Sequence, residues 1–134
     1  MNDSYNLPHA YMLKADALYE KRQIEEALIN VDKSLDLNPD ISYSLYLKAK
    51  ILMDKNDFDK ALEYFKKAIK IDDKIDCYWF DMGSCYLNLS RHNDAYDAYL
   101  KAFQLNSHSG GIANPDIFLD FIKDLKAIDL FKKA

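Results

Sequence analysis

No stretch of this chain is long and apolar enough to cross a bilayer, since its apolar runs last only a few residues against the ~20 that a spanning helix needs. The opening residues, MNDSYNLPHA, lack a basic segment followed by an apolar one. Neither export nor membrane insertion is signalled, and a cytoplasmic setting is expected. Cysteine is scarce as well. Cys77 and Cys85 are the whole complement, and on one predicted helix they stand about 12 Å apart at ~1.5 Å per residue, beyond the ~7 Å that a disulfide bridges. They read as two small helix residues, compatible with a reducing compartment. A basic excess is also missing: 18 Lys and Arg stand against 22 Asp and Glu, for a net charge of −4. Nucleic-acid affinity rests on clustered Lys and Arg, so a phosphate-backbone partner is argued against.

Catalytic and metal-binding constellations are absent too. The three histidines, His9, His92 and His108, fall in separate contexts, and none has a Cys or carboxylate at ligand spacing. Gly110-Gly111 is not a phosphate loop, because no strand precedes it and no Lys-Ser follows. No catalytic residue, cofactor site or metal site is assigned, and an enzyme is not expected. Charged residues such as Glu25, Glu26, Lys66 and Lys67 read as solvated helix faces.

What the chain does contain is a repeat. At 134 residues it suits a single domain with a continuous core. Cut at Pro8, Ser42 and Asp76, it falls into three segments of equal length. The second halves align as EEALINVDKSLDLNPD, DKALEYFKKAIKIDD and NDAYDAYLKAFQLNS. Ala27, Ala61 and Ala95 come into register, then Val31, Phe65 and Tyr99, then Ser34, Ala68 and Ala102. The first halves align through Tyr11, Leu45 and Trp79, then Ala15, Ala49 and Gly83, then Leu18, Leu52 and Tyr86. Within each half the apolar positions follow one helical stripe. Each segment is therefore a pair of helices. Small residues (Ala15 with Ala27, Ala49 with Ala61, Gly83 with Ala95) are expected where the two helices cross closely. Gly83 needs such a reason, since glycine inside a helix costs about 1 kcal/mol relative to alanine. Asn56-Asp57 and Ser90 are expected to cap the second helices, and Asn38-Pro39 to end one.

These residues resemble the tetratricopeptide repeat (TPR) family, whose pattern reads W-x2-L-G-x2-Y, then Ala, an aromatic, Ala and Pro. Trp79, Met82, Gly83, Tyr86, Ala95, Tyr99 and Ala102 carry it most fully. Tyr11, Ala15, Leu18, Ala27 and Pro39 carry it in the first segment. The resemblance runs from Pro8 to Ser109. It implies an all-α, right-handed superhelical solenoid of antiparallel helix pairs, about seven helices in all. The expected division is a lead-in over 1–7, repeats over 8–41, 42–75 and 76–109, a turn over 110–114 and a last helix over 115–134. Asn114-Pro115-Asp116 would open that helix, and Phe118, Phe121, Ile122 and Leu125 would form its apolar stripe. Carrying the register on sets Phe131 level with Ile24 and Phe58, and Ala134 level with Ala27 and Ala61. Two readings stand for this helix, a cap on the third repeat or the start of a truncated fourth.

In TPR proteins the first helices of successive repeats line a concave face. The resemblance therefore implies a peptide groove formed by Met12, Asp16, Tyr19, Tyr43, Tyr46, Lys50, Met53, Phe80, Asp81, Ser84 and Leu87. Leu13, Leu47, Asp54 and Cys77 are among the residues flanking it. One branch of the family holds acidic chaperone C-termini through Lys, Asn, Asn, Lys and Arg. The matching positions here are Met12, Asp16, Leu47, Cys77 and Asp81, so that ligand is argued against. The groove is also similar in character to those of three-repeat bacterial secretion chaperones, although their extra N-terminal helical region has no counterpart here. The expected function is a protein-interaction scaffold binding a peptide with apolar and basic residues, with no nucleic-acid partner. The alternative is a structural or self-assembling solenoid unit, a homo-oligomer included.

Overall fold

The computed structural model describes residues 6–106 and 119–127, and every regular element among them is an α-helix. In chain order these are α1 (Leu7–Glu20), α2 (Ile24–Leu37), α3 (Ser42–Asp54), α4 (Phe58–Ile71), α5 (Asp76–Asn88) and α6 (His92–Asn106). Residues 119–127 form a further helical stretch, α7. The expected turn at 110–114, the helix opening at Pro115, and the positions of His108, Phe118, Phe131 and Ala134 lie outside the described residues. The helices sort into two compact units, Met1–Asp72 and Asp73–Ala134. The first holds the hairpins α1–α2 and α3–α4, the second α5–α6 and α7.

The turn inside each hairpin is the same piece of backbone. Arg22, Asn56 and Ser90 are equivalent positions of successive repeats, and each adopts a left-handed conformation, with φ of 62°, 62° and 57°. Their amides donate to Tyr19, Met53 and Leu87 carbonyls at 2.9, 2.9 and 3.0 Å. The next amides, of Gln23, Asp57 and Arg91, reach back to Leu18, Leu52 and Tyr86 carbonyls at 2.9 Å each. This pair of bonds is the Schellman motif, which satisfies carbonyls that a helix end leaves orphaned. Ser90 therefore ends α5, which corrects the expectation that its side chain caps α6. Asp57 does cap α4, its side chain accepting from the Lys60 amide at 3.4 Å. Pro8 sits in the first turn of α1, where its missing N–H is harmless, and α2 ends at Asn38 as expected.

The small residues lie inside. Ala15, Ala27, Ala49, Ala61 and Ala95 have no exposed surface. The reason for Gly83 is more specific than the expected meeting with Ala95. A Cβ placed there would stand 3.0 Å from two carbons of the Tyr99 ring. That ring is held from three sides within the second unit. Its hydroxyl shares a 2.8 Å hydrogen bond with Ser84, and Phe80 and Phe121 meet it edge-on at 5.2 and 5.7 Å between centroids. Through Phe121, α7 packs on this cluster, and it buries Ile122 and Leu125.

In the first unit α3 is docked on the α1–α2 hairpin. Leu47 and Ile51 join Ala15, Ala27 and Val31 in one buried cluster, flanked by Leu18, Tyr19, Ile24 and Leu28. Around it, Lys48 Nζ lies 2.6 Å from Asp32 and Lys55 pairs with Glu25. Burial alone would push the Lys48 ammonium down, but hydrogen bonds with Asp32 and Tyr64 outweigh it and the pKa is raised. A fully buried hydrogen bond, Ser34 Oγ to Ser44 Oγ at 2.8 Å, joins α2 to α3.

Removing either serine hydroxyl strands the other, so Ser34→Ala and Ser44→Ala should each cost about 1–2 kcal/mol. The double variant, with no orphan left, should cost less than the two singles together. Urea denaturation of the three variants measures this, and strictly additive losses would show that the hydroxyls are not partners.

Candidate functional site

The face expected to bind a ligand is drawn from α1, α3 and α5, and its parts are found separately in the two units. In the first unit the α1 and α3 side chains are tied to one another. Tyr43 donates its hydroxyl to Asp16 at 2.8 Å. Lys50 Nζ lies over the rings of Tyr19 and Tyr46, at 4.9 and 5.3 Å from their centroids. Tyr19 carries a second cation, Arg22, at 5.8 Å, and Arg22 itself pairs with Asp54 at 3.2 Å. Burial, and then the hydrogen bond to Asp54, push the Tyr19 phenol up to about 12. Tyr19 therefore stays neutral and donates across the whole physiological range. Met12 and Met53 are half-buried beside this network.

Two expectations need correction here. Tyr46 is only 4% exposed, because it is wedged between Tyr43 and Phe65 at centroid distances of 5.7 and 6.0 Å. It supports the face from below and is no accessible anchor. Leu47, expected to flank the groove, is fully buried in the cluster under α3. Arg22, conversely, stands outside the expected set. The signal for it is its place in the turn, one repeat before Asn56.

In the second unit Phe80 is the exposed aromatic of α5, with 44% of its surface accessible. Its edge rests on Tyr99. The Ser84 hydroxyl is engaged by Tyr99 and lies 3.4 Å from the Phe80 carbonyl, so it orients the cluster. Burial raises the Tyr99 phenol, and the Ser84 hydrogen bond opposes that. Asp81 and Leu87 are half-buried, Cys77 is exposed and Cys85 buried. Tyr19, Met53 and Leu87 occupy the same register on α1, α3 and α5, and all are half-buried.

Two clefts formed by described residues of the first unit lie elsewhere. One of about 390 Å³ is lined by Asp32, Leu45, Lys48, Tyr64 and Lys67 among others. Another of about 300 Å³ is lined by Leu7, Tyr11, Lys33, Asp36 and Leu37. Neither includes a residue of the expected groove. Among the described residues no three His, Cys, Asp or Glu side chains cluster to hold a metal ion. No described helix is long and apolar enough to cross a membrane.

Phe80→Ala should change stability by less than about 1 kcal/mol, since the ring is half in solvent, whereas Tyr46→Ala should cost about 3–5 kcal/mol as other buried aromatic truncations do. Thermal and urea unfolding of the two variants measures this. Equal, small losses would return Tyr46 to the surface.

The chain is similar to several known proteins. The family model described as "Anaphase-promoting complex, cyclosome, subunit 3" matches residues 20–102. The mitochondrial import receptor subunit TOM70 of Rattus norvegicus is 35% identical over 96 residues, which is 71% of this chain and 16% of the receptor. The chain thus spans about a sixth of the length of that relative. Among solved structures, the first TPR of Spaghetti (RPAP3), bound to the HSP90 peptide SRMEEVD, aligns with a TM-score of 0.79 at 15% identity, covering 91% of this chain and 94% of that one. The Yersinia enterocolitica type III secretion translocator chaperone SycD aligns with a TM-score of 0.79 at 16% identity over 100% of this chain and 90% of its own. The likeness to these structures is one of fold.

Proposed function

The chain belongs to the tetratricopeptide repeat family, through the anaphase-promoting complex subunit 3 group, and we propose that it is a protein-interaction scaffold whose first helices bind a peptide. The observation that carries this reading is the register shared by Tyr19, Met53 and Leu87. An apolar side chain recurs at one position of α1, α3 and α5, and each is neither sealed in the core nor fully in water. Phe80 adds an exposed aromatic ring on α5. Aromatic and methionine side chains are what peptide-binding faces commonly use as anchors.

Charge narrows the ligand. Asp16, Asp54 and Asp81 accompany the apolar positions, and a carboxylate that already accepts one hydrogen bond, as Asp16 does from Tyr43, keeps lone pairs for a second donor. A segment with apolar anchors and basic residues suits this face. An acidic C-terminus does not. The positions that would clamp it hold Met12, Asp16, Leu47, Cys77 and Asp81, of which Leu47 is fully buried. The peptide bound by RPAP3 is therefore expected to be refused, and the ligand of this chain differs from that of its structural relative.

Selection of peptides from a random display library on the immobilised chain tests the reading. The recovered peptides should combine apolar with Lys or Arg residues. Phe80→Ala with Leu87→Ala should weaken them roughly thirtyfold, the equivalent of a hot-spot loss near 2 kcal/mol, and Asp81→Asn should reduce the salt dependence of binding. Titration of SRMEEVD alongside should give no saturable signal. Binding of that acidic peptide, or selected peptides indifferent to Phe80 and Leu87, would refute the proposal.

A further inference from the structure

We propose that a cleft in the second repeat is a docking site, separate from the peptide face, for a tryptophan side chain of a partner protein. The cleft, about 370 Å³ in volume, is lined by Pro39, Asp40, Leu45, Lys67, Lys70 and Ile71. These residues come from α3, α4 and the turn that leads into α3, and none belongs to the candidate ligand face. The cleft runs into the one of about 390 Å³ beside it, since both are lined by Pro39, Asp40, Leu45 and Lys67.

The occupant follows from register. Tyr11, Leu45 and Trp79 are equivalent residues of the three repeats, as are Lys33, Lys67 and Lys101. In the first repeat Lys33 Nζ lies over the Tyr11 ring at 5.5 Å, and in the third Lys101 Nζ lies over the Trp79 ring at 6.0 Å. The Trp79 indole is held further by its N–H, which donates to the Asp73 carbonyl at 2.8 Å. The second repeat has the lysine without the ring. Leu45 offers no π-face, and Lys67 lies instead over Tyr64 of its own helix at 4.8 Å. The corresponding cleft of the first repeat, which Tyr11, Lys33, Asp36 and Leu37 line, is smaller at about 300 Å³.

The other fittings for an indole are present. Leu45 is buried and Ile71 is 46% exposed, so the cleft has apolar surface for a ring. Lys67 and Lys70 are exposed, and neither has a carboxylate partner among the described residues. Their ammonium groups suit the face of a ring and an acidic residue next to it. Pro39 is the counterpart of Asp73, and Pro39 and Asp40 bring acceptor oxygens to the cleft, as a desolvated indole N–H requires. Phenylalanine has no such donor. The ring comes from another protein, because Trp79 is the only tryptophan of the 134 residues and is already engaged within its own repeat.

The probe is the acetylated tripeptide amide Gly-Trp-Glu, titrated into the isotopically labelled full chain and followed through backbone amide shifts. The amides of Asp40, Leu45, Lys67 and Ile71 should shift together and saturate, while those of Phe80 and Leu87 stay in place. Leucine in place of the probe's tryptophan should weaken binding at least about fivefold, and Lys67→Glu with Lys70→Glu about tenfold. Both lysines are exposed, so circular dichroism should be unaltered. Leu45→Trp supplies the missing ring from within the chain, and it should add a second indole N–H resonance and abolish binding of the probe. If that variant misfolds, the lysine variant and the leucine probe still decide. The proposal is overturned by the absence of a saturable shift, or by shifts confined to Phe80 and Leu87, which would place the indole on the peptide face. A leucine probe that binds equally well, binding that survives reversal of both lysines, or binding to a folded Leu45→Trp chain also overturns it.

Discussion

In every described hairpin of this protein the backbone must reverse between two helices within a few residues, and a single left-handed residue makes that reversal. Arg22, Asn56 and Ser90 carry it. Left-handed backbone costs an ordinary side chain about 1–2 kcal/mol, and glycine is the residue that avoids the cost. None of the three positions uses glycine. The two reverse hydrogen bonds at each turn, and the burial that follows from a correctly angled second helix, offset the strain. Because the turn is the same each time, the second helix starts at the same offset each time. That offset sets Ala15 and Ala27, then Ala49 and Ala61, in the interior of their hairpins.

The repeat is uniform in backbone and varied in side chains, and the variation is where function enters. Gly83 exists because Tyr99, where the first unit has Val31 and Phe65, lays its ring over the helix. Tyr99 in turn is the seat on which Phe80 and Phe121 rest, so the exposed ring of Phe80 on α5 depends on a missing Cβ. On α3 the same logic uses charge. An exposed ion pair contributes under about 1 kcal/mol, too little for Lys48 and Lys55 to hold α3 in place. Leu47 and Ile51 supply the burial, and the lysines set which helix is accepted.

Much of this is legible in the sequence, for a physical reason: small residues recurring at a fixed long interval have few causes other than stacked helix pairs. Asn38-Pro39 and Asp57 are equally readable as local signals. Ser90 misleads because serine is a common cap, and its left-handed role needs no side-chain chemistry at all. Tyr46 shares its register with Met12 and Phe80, so periodicity alone assigns all three to one surface. The Phe65 and Tyr43 rings pack on either side of it and help bury it. The Asp16–Tyr43 bond and the Ser34–Ser44 bond are contacts between helices, set by packing distances that a linear pattern does not contain. The register of the candidate residues is legible. Which of those residues are free to meet a ligand is not.

One left-handed turn, recurring once in each of the three described repeats, organises the hairpins of both units. Three-bond HN–Hα couplings and backbone chemical shifts of the isotopically labelled protein read that conformation directly at each residue. Arg22, Asn56 and Ser90 should all report positive φ, while Lys21, Lys55 and Leu89 beside them report negative φ. A negative φ at any of the three would contradict the account, because that hairpin would then reverse by another route and the shared register of its two helices would have no common cause.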